Sequence, residues 1–544
     1  MKWFLFFTFI IFSILSFAQK PGIYWIQFTD KNNSPYSISS PSQFLSQRAL
    51  DRRVRQNIPV VTQDVPVNPS YVDSINHIFP VFNSLKWQNG VLVNVTDSTL
   101  LAELSGISFV DTYKYVRPLF IKSNPGSKEQ LGTLSDVYNY AWGADQITML
   151  HGNELHNLGF KGDSMLIAIL DAGFTGANNI NIFDSIFQNN RLISTRNFVI
   201  GNNNTTVFQG SSHGTSVLST MGSLKIDTMV GTAPHASFSL NVSEDNAGEY
   251  IFEEYTWACA AEYADSLGAD IISSSLGYTT FDDPTMNHTY AEMDGHTSVA
   301  SRAATIATRK GMIVVVSAGN SGSQPWHHIG IPADADSILT VGAVDVQKQP
   351  ATFTSVGPSA DGRIKPDVAA MGVGTSVVNS SGNMFQGNGT SFACPIIAGM
   401  TACLWQAHKN TGNMEIIQAI RKSSDRFTNP DTLTGYGIPN FAYANNILSG
   451  NVDSEDYSNK QFINVFPNPF TDQLSIQFYN VNLNDISFEL SDIVGRILYK
   501  NTGTLSPHSL NTIEFNNLQD VSNGIYILKI STSLNEYKRL VVKK

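Results

Sequence analysis

Between residues 141 and about 448, runs of consecutive apolar residues alternate with segments whose apolar residues recur at helical spacing. Four of the runs read MLIAIL, SFSLNV, ADIISSSL and MIVVVSA. Helical patterns include TSVLSTMGS, YTWACAAEYADSLG, SVASRAATIATRKG and SFACPIIAGMTACLWQAHK. Strands that are apolar at every position are buried on both faces, which is typical of parallel sheets covered by helices. The alternation therefore predicts an α/β domain with a doubly wound parallel sheet.

Three short segments of this domain place an acid, a histidine and a serine among small residues. Asp171 and Gly173 end LIAILDAG, His213 lies in SSHGTSVLS, and Ser391 lies in GNGTSFACPIIAG. Asp171 follows a predicted strand, where ligand sites of α/β sheets lie, and Gly173 would let the chain turn sharply. His213 and Ser391 precede helical patterns, and a helix N-terminus favours a neutral imidazole and a nearby anion. The three residues therefore predict a nucleophilic hydrolase.

A fourth segment, VVVSAGNSG, places Asn320 between His213 and Ser391 along the chain. Its side-chain amide can donate a hydrogen bond to an oxyanion. The order Asp, His, Ser with these contexts resembles the subtilisin-like serine proteases, or subtilases. The resemblance implies a serine endopeptidase that works through an acyl-enzyme. His213 would be the base, Asp171 would orient it, and Asn320 with the Ser391 N–H would hold the oxyanion.

The segment that follows Ser391 departs in one place from the usual family motif. Ile396 stands after Pro395, where histidine is frequent in the family, and this change does not touch the chemistry. Pro395 is expected in the first turn of the helix, where N–H groups have no helical partner. A simpler interpretation makes Thr390 or Ser391 only a helix N-cap.

The resemblance also implies substrate-binding residues. An edge segment would pair with extended substrate backbone, in the manner of an added β-strand; its residues are Ser273, Ser274, Ser275, Leu276 and Gly277. The pocket for the residue before the cut would be lined by Ala318, Gly319 and Gly330. Glycine leaves such a pocket roomy and uncharged, so we expect a preference for large apolar residues. The resemblance further implies a cis peptide bond between Ile331 and Pro332.

The N-terminal residues 1–18 have the pattern of a signal peptide. Lys2 precedes an apolar stretch, and Ser16-Phe17-Ala18 fits the small-x-small rule for cleavage before Gln19. A retained membrane anchor is the alternative, but the stretch is shorter than a spanning helix requires. The sequence therefore predicts export.

Residues 19–125 predict a small α+β domain with strands GIYWIQF and GVLVNVTD. PSQFLSQRALDRRVRQNIPV predicts a helix that Ser40 or Ser42 caps and Pro59 ends, and STLLAELSGISFVDTYKYV predicts a short helix that runs into a strand. The domain resembles the propeptides of exported subtilases, which act as intramolecular chaperone and inhibitor. The alternative is a binding domain that stays attached. Residues 126–140 are polar and predict a linker in which maturation cleavage occurs.

Residues 449–462 predict a second linker, and residues 463–544 predict a small all-β sandwich. A PNPF opening, a D-x-x-G-R turn from Asp492 to Arg496, a GIYIL strand and a basic last strand resemble the type IX secretion sorting domains of Bacteroidetes. The resemblance implies recognition by the secretion machinery, passage through the periplasm, and a final location outside the cell or on its surface. An ordinary carbohydrate- or protein-binding β-module is the alternative.

Net charge and cysteine spacing argue against a nucleic-acid partner and against a disulfide between Cys394 and Cys403. The net charge of −11 disfavours a nucleic-acid partner, which would select a basic surface. Cys394 and Cys403 lie nine residues apart on one predicted helix, about 13 Å along its axis and too far for a disulfide. With Cys259 they predict three buried, reduced thiols.

The chemistry requires no cofactor, and we expect a monomer. Structural calcium is common in the family, but no contiguous acidic loop indicates a site. Asp282 and Asp283 are interpreted as solvated loop charges, so no metal ligand is assigned.

Two other functions fit parts of the pattern. The first is a non-catalytic subtilase fold that acts as a surface binding protein, although such relatives typically lose a catalytic residue. The second is another serine acyl hydrolase, such as an esterase. Comparing cleavage of casein with that of a short acyl ester separates peptidase from esterase.

Overall fold

The computed structural model describes residues 20–119, 140–201, 206–450, 462–466, 469–480, 485–504, 509–516, 518–532 and 536–544. The predicted signal peptide, residues 1–18, lies outside the described residues, as do most of the two predicted linkers, 126–140 and 449–462. Within the described ranges, no helix combines the length and the apolar character that a membrane crossing requires.

The N-terminal domain is a four-stranded antiparallel sheet, in the order β2-β3-β1-β4, with helices on it. Its elements are β1 (Gly22–Phe28), α1 (Gln47–Arg55), α2 (Pro69–Asn76), β2 (Val81–Leu85), β3 (Gly90–Val95) and β4 (Val110–Arg117). A 3₁₀ segment, Ser98–Gly106, precedes β4. The predicted α+β class and both predicted strands are confirmed.

The prediction for the first helix was wrong at its start. Ser40 precedes only a short 3₁₀ turn, Pro41–Gln43, and caps nothing. The α-helix begins at Gln47, where the Ser46 side chain accepts a hydrogen bond from the N–H of Ala49. It ends at Arg55, before Pro59.

The middle of the chain forms a seven-stranded parallel sheet in the order β13-β12-β11-β10-β5-β9-β6. Its strands are β5 (Leu166–Asp171), β6 (Leu192–Asn197), β9 (Ser237–Val242), β10 (Ile271–Ser274), β11 (Ile313–Ser317), β12 (Leu339–Val344) and β13 (Val368–Met371). Two antiparallel ribbons join β7 (Leu224–Lys225) to β8 (Met229–Val230) and β14 (Thr375–Val378) to β15 (Met384–Gly387). The four predicted strands are its four neighbouring central strands, β9, β5, β10 and β11.

Helices cover both faces of this sheet and confirm the doubly wound α/β class. They are α3 (Ala144–Thr148), α4 (Gly152–Asn157), α5 (Asp184–Gln188), α6 (His213–Gly222), α7 (Phe252–Leu267), α8 (Val299–Arg309), α9 (Thr390–Ala407), α10 (Asn413–Lys422) and α11 (Phe441–Leu448). The longest, α9, packs against the central strands and is buried along almost all of its length. Every residue of β5, β10 and β11 is buried.

The C-terminal residues form two antiparallel sheets, β16-β17-β20 and β19-β18-β21-β22, around one apolar core. The strands are β16 (Phe462–Phe466), β17 (Leu474–Asn480), β18 (Asp485–Asp492), β19 (Ile497–Thr504), β20 (Ser509–Phe515), β21 (Gly524–Thr532) and β22 (Glu536–Lys543). The predicted turn is present, because the N–H groups of Val494 and Arg496 donate to Asp492 Oδ1. The predicted β-sandwich is thereby confirmed.

The N-terminal domain shares a continuous apolar core with the parallel-sheet domain. Trp25 of β1 packs on Tyr255 of α7, with ring centroids 5.1 Å apart. The three cysteines, Cys259, Cys394 and Cys403, are buried and free, as predicted.

Candidate active site

Asp171 and His213 meet at the carboxyl edge of the sheet. Asp171 is the last residue of β5 and is fully buried, and His213 is the first residue of α6. The imidazole Nδ1 lies 2.9 Å from Asp171 Oδ1 and 3.0 Å from Oδ2. The Ala172 N–H also donates to Oδ1, at 2.7 Å. The carboxylate therefore fixes the imidazole ring through Nδ1 and leaves Nε2 available for another partner.

Gly173 allows the turn after β5 to pack closely against the start of α6. Its φ is +149°, and a side-chain carbon there would lie only 2.8 Å from the Ser211 carbonyl oxygen. The Gly173 carbonyl accepts a hydrogen bond from the Gly214 N–H at 2.9 Å, which joins the turn after β5 to the first turn of α6. The predicted sharp turn at Gly173 is confirmed.

The pKa of His213 differs from what the helix N-terminus alone suggests. Burial opposes the charged imidazolium, but the charge of Asp171 and its hydrogen bond outweigh burial and raise the pKa above the usual value. About a third of the His213 side chain is exposed, so the ring also remains accessible to solvent. The carboxylate thus makes His213 a stronger base than a helix N-terminus alone would.

Ser391 lies at the second position of α9, and the ring of the next residue, Phe392, has its centroid 6.1 Å from that of His213. In this structure Ser391 Oγ donates to the carbonyl of Ser275 at 3.4 Å, rather than to His213. The predicted hydrogen bond between Ser391 and His213 is therefore not among those formed by the described residues. The N-terminal position of Ser391 leaves its own N–H free of helical partners.

Pro395 is the sixth residue of α9 and not in its first turn, so the expectation for this residue was wrong. A proline here removes the N–H that would donate to the carbonyl of Ser391, four residues earlier. The hydroxyl of Ser275 donates to that carbonyl instead, at 2.8 Å. Ser275 therefore replaces the missing helical hydrogen bond and ties the backbone of Ser391 to the segment after β10, a role that the sequence did not reveal.

Asn320 is held by its own amide oxygen. Oδ1 accepts hydrogen bonds from the Thr390 N–H at 2.9 Å and from Thr390 Oγ1 at 3.0 Å. This arrangement leaves the amide nitrogen free to donate. The nitrogen and Ser391 Cβ lie 3.7 and 3.8 Å from one point, the position that a side-chain carbon on Gly389 would take. The two predicted oxyanion donors, Asn320 Nδ2 and the Ser391 N–H, thus lie on the same side of Gly389 as the carbon that carries the Ser391 hydroxyl.

The predicted edge segment falls into two parts. Ser273 and Ser274 are fully buried in β10, which pairs with β5 on one side and β11 on the other. Their backbone groups are occupied by the sheet, which does not fit a role in pairing with substrate. Ser275, Leu276 and Gly277 continue beyond the carboxyl end of β10, and Gly277 is exposed.

The three predicted pocket residues lie together. The Gly330 N–H donates to the Ala318 carbonyl at 3.4 Å, and a side-chain carbon on Gly319 would lie 2.8 Å from Ser355 Oγ. Ile331, which follows Gly330, forms an antiparallel bridge with Tyr278. The peptide bond from Ile331 to Pro332 is cis, as the resemblance implied.

A group of three acids beside Tyr278 was not predicted. One carboxylate oxygen from each of Glu244, Glu249 and Glu253 lies within 4.8 Å of the others. Burial and the neighbouring carboxylates raise the pKa of Glu244 and Glu253, and burial with the charge of Asp282 raises that of Glu249 to about 7. The acids are spread over a loop and the first turn of α7, so no contiguous motif reveals them.

These acids fit a calcium ion only in part. One converging oxygen from each acid gives three ligands, fewer than the six to eight that calcium takes. Both oxygens of Glu253 already accept backbone N–H groups, and Glu244 accepts the hydroxyl of Tyr278. Calcium therefore stays a prediction without an assigned site.

Comparison with known families agrees with this geometry. The sequence model of the subtilase family matches residues 162–438, about half of the 544-residue chain. The chain belongs to the subtilase family. In this subtilase, residues 23–130 match a Bacteroidota propeptide domain of the same peptidase class, and residues 464–544 match a secretion system C-terminal sorting domain. It is an exported serine peptidase with a propeptide and a type IX secretion sorting domain, located outside the cell or on its surface.

Similar proteins include two subtilisins. Subtilisin DY of Bacillus licheniformis is 29% identical over 260 residues, which are 47% of this chain and 82% of that protein. Subtilisin NAT of Bacillus subtilis subsp. natto is 30% identical over 273 residues, which are 50% of this chain and 63% of that protein. Among solved structures, MycP1 from Mycobacterium smegmatis is 19% identical with a TM-score of 0.45, covering 60% of this chain and 90% of that chain.

Proposed function

We propose that this subtilase is a serine endopeptidase that cleaves proteins through an acyl-enzyme formed on Ser391. Ser391 Oγ turns from the Ser275 carbonyl to Nε2 of His213, gives up its proton, and attacks the peptide carbonyl carbon. Asp171 stabilises the imidazolium. His213 then protonates the leaving amine as the C–N bond breaks, and water attacks the acyl ester by the same steps.

The contact of His213 Nδ1 with both oxygens of the buried Asp171 carries this proposal. It selects the tautomer that carries its proton on Nδ1, so that Nε2 is the acceptor a general base requires. The oxyanion would be held by Asn320 Nδ2 and the Ser391 N–H. Both donors are fixed before substrate arrives, which is the condition under which such donors lower the barrier.

Substrate would bind as an extended strand along Ser275–Gly277, and the residue before the cut would enter the space beside Ala318, Gly319 and Gly330. Small residues line this space, which favours a large apolar side chain. Ser273 and Ser274 are left out of this binding segment because the sheet uses their backbone groups.

Other parts of the proposal concern partners. The N-terminal domain would act as the enzyme's own inhibitor until maturation, and the C-terminal domain would be recognised by the secretion machinery after passage through the periplasm. The peptidase would act as a monomer and need no cofactor for its chemistry. Nucleic acid is not among its expected partners.

The test compares the wild-type chain with Ser391→Ala and with Ser381→Ala, which changes an exposed serine of the β14–β15 turn. Chain size and casein cleavage are followed together. We expect wild type and Ser381→Ala to lose the N-terminal domain and degrade casein, whereas Ser391→Ala stays intact and inactive.

Other outcomes point to other functions. If all three chains stay intact, a trace of trypsin removes the N-terminal domain, and continued inactivity of the trimmed wild type would favour a binding protein. Hydrolysis of a short acyl ester without casein cleavage would favour an esterase.

A further inference from the structure

Tyr278 joins the proposed substrate-binding segment to the proposed specificity pocket. It directly follows Gly277, and its side chain is fully buried. Its N–H donates to the Ile331 carbonyl at 2.8 Å, and its own carbonyl accepts the Ile331 N–H at 3.1 Å. A side-chain carbon on Gly330, the residue before Ile331, would lie 3.5 Å from the Tyr278 carbonyl oxygen. This antiparallel bridge therefore sets the distance between Ser275–Gly277 and Gly330.

The Tyr278 hydroxyl holds this bridge in place. The pair of Tyr278 and Ile331 is an isolated bridge and not part of a longer strand pairing. Two strands paired alone are only marginally stable in water, so a single residue pair needs support from side chains. The hydroxyl donates to Glu244 Oε2 at 3.1 Å, and a buried hydroxyl is costly to leave without its partner. Burial and neighbouring carboxylates raise the pKa of Tyr278 well above its usual value, so the hydroxyl stays a donor.

Glu244 is itself anchored beside the predicted catalytic acid. The residue before it, Ser243, donates its N–H to the Asp171 carbonyl at 3.1 Å. The residue after it, Asp245, donates its N–H to Glu253 Oε1 at 2.8 Å. The backbone on both sides of Glu244 is thus tied to the end of β5 and to the start of α7. The hydroxyl of Tyr278 therefore binds to a fixed acceptor.

We propose that Tyr278 and Glu244 are positioning residues for substrate, because their hydrogen bond fixes the spacing between the substrate-binding segment Ser275–Gly277 and the pocket at Gly330. An extended substrate contacts both places at once, so a change in this spacing weakens its binding. The hydroxyl acts through the Tyr278 backbone and not on the three predicted catalytic side chains. The inference rests on the proposed peptidase function for its substrate, and on the hydrogen bonds alone for its geometry.

The first test removes only the hydroxyl, in Tyr278→Phe, and compares two substrates of the matured enzyme. One is a tetrapeptide p-nitroanilide with phenylalanine before the cut, which occupies both places. The other is p-nitrophenyl acetate, which is too short to reach the substrate-binding segment. We expect KM for the tetrapeptide to rise by about fivefold or more with kcat unchanged, because the lost interaction serves binding and not the chemical step. Hydrolysis of the acetate ester should stay within about twofold of the wild-type rate.

Three further variants identify the hydrogen bond as the cause. Glu244→Ala removes the acceptor and should reproduce the effect of Tyr278→Phe. Glu244→Gln keeps a carbonyl oxygen that can accept the hydroxyl, so it should bind the tetrapeptide like the wild type. Tyr263→Phe is the matched control, because it removes another tyrosine hydroxyl of the same domain, one that lies 2.6 Å from Ser194 Oγ of β6. It should leave both substrates unaffected.

Hydrogen exchange tests the geometry without any activity. The amides of residues 278 and 331 are the two donors of the bridge, and they are followed in the full chain with Ser391→Ala. Tyr278→Phe should speed their exchange by about five- to tenfold, because one hydrogen bond fewer opposes local opening of the bridge. Amides in the middle of α9 should exchange as in the parent chain, which shows that the domain as a whole is not destabilised.

Three results would overturn the proposal. They are unchanged exchange at residues 278 and 331 in Tyr278→Phe, a tetrapeptide KM equal to that of the wild type, and an equal loss of activity on both substrates. If Tyr278→Phe does not fold, Glu244→Ala gives the same readouts from the side of the acceptor. If the wild-type enzyme cleaves no peptide, the proposed function fails, and the exchange rates still decide whether the hydroxyl holds the bridge.

Discussion

Removal of the Ser275 hydroxyl tests how the Ser391 backbone is held. In Ser275→Ala, the Ser391 carbonyl loses the donor that replaces the N–H missing at Pro395. Ser275 is only 7% exposed, so water has little access to the vacated position. Leaving a buried acceptor without its partner costs about 1–3 kcal/mol of unfolding free energy. For a domain of this size we expect the melting temperature to fall by about 2–6 °C.

A double-mutant cycle isolates the cause. Pro395→Ala restores a backbone N–H that can donate to the Ser391 carbonyl in the ordinary helical manner. In that background, Ser275→Ala should cost less than about 0.5 kcal/mol, because the carbonyl already has a donor. The two substitutions are therefore expected to couple by about 1 kcal/mol or more.

Differential scanning calorimetry of the catalytic-domain transition gives the values, with Ser391→Ala in every chain to prevent self-digestion while the carbonyl of residue 391 remains. A Ser275→Ala cost that is unchanged by Pro395→Ala would contradict this role of the Ser275 hydroxyl. It would mean that the hydroxyl stabilises something other than this carbonyl.

Three further predictions concern the site. Asn320→Ala should lower kcat by about 10²–10³-fold with little change in KM, because the amide donates to the oxyanion and not to the bound substrate. Initial rates on a peptide substrate give both constants, and an equally large rise in KM would contradict this prediction. Because Asp171 raises the pKa of His213, kcat/KM should fall on the acid side with a midpoint above 6.5, and the residual activity of Asp171→Asn should have its midpoint at lower pH; an unmoved midpoint would argue against the pairing. The pKa of Glu249 is raised to about 7, so the folded state holds its proton more tightly than the unfolded state does. The resulting contribution to stability is fully present below pH 4.5 and is lost as pH rises through 7. Glu249→Gln should therefore flatten the decline of melting temperature over that range, and an unchanged slope would contradict this role of Glu249.

The central strands could be predicted because strands buried on both faces appear in the sequence as continuous apolar runs. SFSLNV coincides with β9, and ADIISSSL contains all of β10. Strand β12 was not predicted, since Gly342 interrupts its apolar run. In the fold, a side-chain carbon at Gly342 would lie 2.9 Å from the Leu433 carbonyl oxygen. That requirement comes from a residue far along the chain and has no local signal.

The candidate catalytic side chains were predicted from their local contexts, and the structure brings Asp171 and His213 into contact. What the sequence could not give are roles that depend on contacts between distant segments. Ser273 and Ser275 look alike in SSSLG, yet one lies inside a strand paired on both edges and the other holds the Ser391 carbonyl. Likewise, α1 carries several arginines, and only its position against α7 shows that Arg52 and Arg53 are buried in ion pairs with Asp265.

The most direct test of the central claim is covalent labelling of the matured enzyme with a fluorophosphonate, followed by peptide mass spectrometry. The reagent reacts with a serine whose hydroxyl is activated by a neighbouring base. We expect one label per chain, on Ser391, and its loss in His213→Ala. Labelling of another serine, or labelling of Ser391 that persists in His213→Ala, would contradict it.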